Sequence, residues 1–72
     1  MPSDLTPRQQ LDKAWEVYGA IEEACEELHQ LGMSLSPGPV FDQALRVRHA
    51  LHITEERAWN LVGICDYYTK DS

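Results

Sequence analysis

Between Leu11 and Gly32, apolar or small residues recur at alternating spacings of three and four: Leu11, Ala14, Tyr18, Ile21, Cys25, Leu28 and Gly32. This is the a/d rhythm of a coiled-coil seam. Val17, Ala24 and Leu31 occupy the adjacent g-type positions and widen the stripe. The pattern predicts a helix over 7–31, about 37 Å long at a rise of ~1.5 Å per residue. Thr6 or Asp4 is placed to cap it, and Pro7 falls where its missing N–H costs nothing. Gly32 reads as its C-terminal stop.

Residues 32–39 hold Ser34, Ser36, Pro37, Gly38 and Pro39, which predicts a defined turn. A second helix over 40–51 follows from the stripe Val40, Ala44, Val47 and Leu51, flanked by Phe41 and Leu45. His52 and Ile53 read as a short break. Thr54 is then an N-cap, Glu55 and Glu56 lie in a first turn, and Ile53 and Ala58 stand at staple positions. A third helix over 55–69 follows on Ala58, Leu61, Val62, Cys65 and Tyr68.

No strand alternation competes, so the expected fold is all-α. It is a three-helix bundle in a single domain, with one long N-terminal helix and two shorter ones. Neither short helix can cover the long one alone. The seam Leu11, Ala14, Tyr18, Ile21, Cys25 and Leu28 is therefore expected to pair with a second copy, giving a homodimer.

Size supports a need for company. A chain of 72 residues buries only about 60% of the surface its unfolded form exposes, and oligomerisation is one usual supplement. No apolar run reaches the ~18 residues of a membrane span, and the polar start shows no signal peptide, so the cytoplasm is the default compartment. Cys25 and Cys65 each fall on an apolar helix face, as small core thiols do in a reducing compartment.

The net charge of −6 is lopsided, with −5 in residues 1–36 and −1 in residues 37–72. That balance disfavours direct nucleic-acid binding, which rests on phosphate neutralisation by Lys and Arg. It suits docking on a basic protein, including one that itself binds nucleic acid. Glu22, Glu23, Glu26 and Glu27 form the acidic face that would set partner choice, and Arg46 and Arg48 form a complementary basic spot.

An internal echo singles out the tryptophans. Lys13-Ala14-Trp15-Glu16-Val17-Tyr18-Gly19 parallels Arg57-Ala58-Trp59-Asn60-Leu61-Val62-Gly63. In both, a glycine four residues after Trp leaves a notch beside the indole. Trp59, Gly63 and Tyr67 diverge from the core stripe of the last helix. With Trp15, they are the candidate partner-binding residues.

Other constellations are thinner. Glu26-x-x-His29 has the spacing of a di-iron bundle ligand pair but lacks a second such motif. Cys25, His29, His49 and His52 are permissible zinc ligands, although His49 and His52 cannot share one inward stripe. Residues 40–69 have the outline of a helix-turn-helix about Leu51-His52-Ile53-Thr54, yet Glu55 and Glu56 would face phosphates.

No phosphate loop or nucleophile elbow is present. The chain therefore reads as a non-catalytic protein-binding regulator, adaptor or inhibitor that occludes a partner surface. No cofactor or metal is expected. A helix-turn-helix DNA-binding dimer and a metal-binding helical dimer are the alternatives.

Overall fold

The computed structural model describes residues 5–70, and it is an all-α helical hairpin of two helices. Helix α1 spans Pro7–Ser34 and α2 spans Pro39–Lys70. Thr6 caps α1 in a reciprocal box: the Gln9 N–H donates to Thr6 Oγ1 at 3.2 Å, and the Thr6 N–H donates to Gln9 Oε1 at 3.0 Å. The other candidate cap, Asp4, lies outside the described residues. Helix α1 runs through Gly32, whose carbonyl accepts the Leu35 N–H at 3.2 Å. No glycine takes a positive φ, so Gly32 is not a left-handed stop. Pro37 and Gly38 form the turn, and Pro39 opens α2, where its fixed φ suits a first helical residue.

The expectation of three helices is wrong, and residues 52–54 show why. They lie inside α2, which continues unbroken for 32 residues. The Thr54 hydroxyl donates back to the Ala50 carbonyl at 2.9 Å, so it serves the helix it sits in and caps nothing. Glu55 and Glu56 are mid-helix partners of His52, at 3.9 and 4.0 Å. No glycine or proline interrupts this stretch, so local propensity offers no reason to stop. The long α2 also removes the premise of the dimer seam. Leu11, Ala14, Tyr18, Ile21, Cys25 and Leu28 face α2 of the same chain.

The register becomes plain once α2 is continuous. Its own three-four rhythm runs Phe41, Ala44, Arg48, Leu51, Glu55, Ala58, Val62, Cys65 and Thr69. Packed antiparallel, Leu11 and Ala14 cluster with Val62, and with Ala58 these are the buried core. Tyr18 and Cys65 pack against it. The small alanines allow close approach at the open end of the hairpin. There the Thr69 hydroxyl donates to the Cys65 carbonyl at 2.8 Å and lies 3.3 Å from the Pro7 carbonyl. Toward the turn, Arg48 and Glu55 interrupt the α2 stripe, Arg48 near Cys25 and Glu55 near both Tyr18 and Cys25.

The result is one layer thick, with extents of 51 × 24 × 15 Å. Among the described residues, no helix is long and apolar enough to cross a membrane.

Candidate functional site

Two packed heptad helices leave two flanks, one built from the e-type positions and one from the g-type. Trp15 and Trp59 are both e-type and so emerge on the same side of the hairpin. Their rings meet edge to face, with centroids 5.8 Å apart. Tyr18 completes the cluster, 6.1 Å from Trp15 and 5.3 Å from Trp59. The indoles remain open to solvent: Trp15 is 47% and Trp59 is 54% exposed.

Beside the cluster, Tyr18, Glu55, Glu56, Trp59 and Asn60 line an open groove of about 430 Å³. Its floor is aromatic and its rim carries carboxylates. Partial burial, the Glu22 and Glu55 carboxylates and a hydrogen bond with Glu22 push the Tyr18 hydroxyl above its ordinary 10.0.

The sequence candidates separate on the structure. Trp15 and Trp59 come together. Gly63 and Tyr67 instead continue along the outer face of α2, in a shallow depression with Asn60, Ile64 and Tyr68. Tyr67 stacks edge to face on Tyr68 at 5.3 Å. A Cβ at Gly19 or Gly63 would meet nothing within 4 Å, so each glycine faces open space and neither indole walls a notch beside it.

Glu23, Glu26 and Glu27 line an outward acidic depression with Gln30, Leu31 and Ser34. Glu22 lies nearer Tyr18 and Cys25, on whose protons it acts. Arg46 and Arg48 are both exposed, and Arg48 lies close enough to act on Cys25. Among the described residues, the ion pairs Arg8–Asp12, Lys13–Glu16 and Asp66–Lys70 lie within single helices, as do the contacts of the His52 ring with Glu55 and Glu56. The acidic face of α1 is not neutralised by α2.

Farther along the same flank, Cys25, His29, His49 and His52 line one open cleft of about 550 Å³ with Glu26, Leu45, Arg48 and Glu55. Even so, among the described residues no three His, Cys, Asp or Glu side chains are placed to hold a metal ion. Burial first, then Glu55 and Glu22, raise the Cys25 thiol above its ordinary 9.0, with Arg48 opposing. That keeps it protonated and a poor nucleophile or ligand at neutral pH.

The turn that a helix-turn-helix requires is helical here, so α2 has no separate recognition helix.

Sequence reasoning missed Glu55 and Glu56 as neighbours of Tyr18. The available signal was the three-four rhythm of α2 continued through Arg48 and Glu55, which puts Glu55 on the seam, within reach of Tyr18. Compared with protein-family models, curated proteins and solved structures, the chain matches none.

Proposed function

We propose that this chain is a non-catalytic protein-binding regulator that occludes a basic surface of its partner. The observation that supports the reading is the half-exposed Trp15–Tyr18–Trp59 cluster beside the Glu55 and Glu56 rim. Exposed indoles are strong interface anchors because they bury a large rigid area at little entropic cost. A carboxylate rim around an aromatic floor suits an arginine or lysine side chain. The cation rests on the ring faces while the carboxylates hold its charge. The net charge of −6 would speed the encounter with such a partner and make it salt-sensitive.

A photo-crosslinking residue at position 60, on the groove wall, tests this in the source cells. The expected result is one protein adduct through an arginine- or lysine-bearing segment, absent when Trp59→Ala is added. Adducts indifferent to Trp59, or to nucleic acid alone, would sink the reading.

A further inference from the structure

The flank opposite the tryptophans has a different chemistry. The g-type positions of both helices meet there, and Val17, Leu31, Val47 and Leu61 stand 48%, 48%, 42% and 45% exposed. Ala24 lies between the first two. Ile64 borders the flank, and Tyr68 ends it.

Carboxylates are sparse along most of this flank. Of the acids between residues 5 and 70, Glu27 alone occupies a position on or bordering this flank. The others crowd the outer faces and the tryptophan side. Lys13 and Arg57 border the flank instead. Leu31, toward the turn, also borders the depression that holds Glu23, Glu26 and Glu27. In a protein of net charge −6, the stretch where two copies can approach without opposing like charges therefore centres on Val17, Ala24 and Leu61.

We infer that a second copy of this chain packs on this aliphatic flank, so that two single-layer hairpins close into a four-helix bundle. The surface area supports that occupant. A compact 8.2 kDa monomer exposes about 4,500 Å², whereas this chain exposes 5632 Å². The excess of about 1,100 Å² is shared by the whole chain, the tryptophan flank included, and is of the size of the ~800 Å² that each member gives to a standard interface.

A two-fold axis sets the row against itself, so aliphatic side chains meet their own kind and the interface closes at two copies. Helices stacked in two layers also give the usual minimum for a shared core. The interface uses none of Trp15, Tyr18 or Trp59, so it does not rest on the proposed partner groove. The bundle would present two such grooves, one on each copy.

Sedimentation equilibrium of the full chain over a wide dilution range tests the inference. The expected species has twice the 8.2 kDa chain mass. Leu61→Ala, which keeps helix propensity, raises the dissociation constant about tenfold or more because each copy loses apolar contact. Leu61→Glu sediments as a monomer, and Trp59→Ala remains a dimer.

A helical monomer at every concentration overturns the inference. So does a dimer indifferent to Leu61→Ala but lost in Trp59→Ala, which would place the contact on the aromatic flank. An assembly larger than two chains overturns it as well.

Discussion

Trp15 and Trp59 face each other across the two helices with ring planes at 76° and centroids 5.8 Å apart. The contact joins residues from opposite ends of the sequence while leaving each indole about half in solvent. One pair thus adds to the packing of the hairpin and presents a surface to a partner.

Trp59→Ala should separate those two roles. Losing a cross-helix aromatic pair costs about 0.5–1.5 kcal/mol, a loss of several degrees in Tm for a domain of this size. Far-UV circular dichroism should keep its helical signal at room temperature, because the core Leu11, Ala14, Ala58 and Val62 is untouched. Partner crosslinking should vanish. Unfolding at room temperature would show that Trp59 holds the fold and that its exposure has misled us.

Thr54→Ala distinguishes one long helix from two short ones. An N-cap threonine replaced by alanine loses about 1 kcal/mol. A threonine bonding back to Ala50 within a helix yields to alanine at no cost or with a gain. We therefore expect the Tm of Thr54→Ala to equal or exceed that of the parent. A fall of several degrees would restore the break between residues 51 and 55.

How legible the fold was differs between the two helices. Along α1 the a/d positions are apolar or small without interruption from Leu11 to Gly32, so the helix and its buried stripe could be read directly. Along α2 the same rhythm passes through Arg48 and Glu55, and a polar residue at a seam position conceals the register. Thr54-Glu55-Glu56 also imitates a helix start, because the hydroxyl that caps a helix can equally bond one turn back. Which it does depends on whether Leu51 and Ala58 share a face against α1, a tertiary fact absent from any local window.

The tryptophans were legible as exposed because they leave the stripe. Their company with Tyr18 and Glu55 was not, since it requires the antiparallel register.

Alkaline pH should weaken the hairpin through Tyr18 and Cys25. Each holds its proton more tightly when folded than at its ordinary value, 10.0 for the phenol and 9.0 for the thiol. The folded chain then binds more protons than the unfolded one in that range, so stability falls as pH rises. Their contribution is complete below those ordinary values and is lost as pH climbs through the raised ones. Melting curves from neutrality to about pH 10.5 should show Tm declining. Tyr18→Phe should flatten the upper part and Cys25→Ser the lower. An identical decline in both variants would assign the effect to other groups.

Glu55→Leu sets stability against function. The Glu55 side chain is only 26% exposed and stands at a seam position beside Tyr18. There its charge raises the neighbouring phenol. Leucine would continue the stripe from Leu51 to Ala58, and its burial is worth about 1.5 kcal/mol or more. At ~4–8 °C per kcal/mol for a small domain, a clear rise in Tm should follow in thermal denaturation. The same change strips the groove beside Trp59 of one of its two rim carboxylates, so crosslinking to a basic partner should weaken together with its salt dependence. A polar residue kept at a packing position at the expense of stability is the pattern of a site held for binding. If Glu55→Leu melts higher and captures the partner undiminished, Glu55 belongs to the register of the hairpin and the groove draws its charge from Glu22 and Glu56.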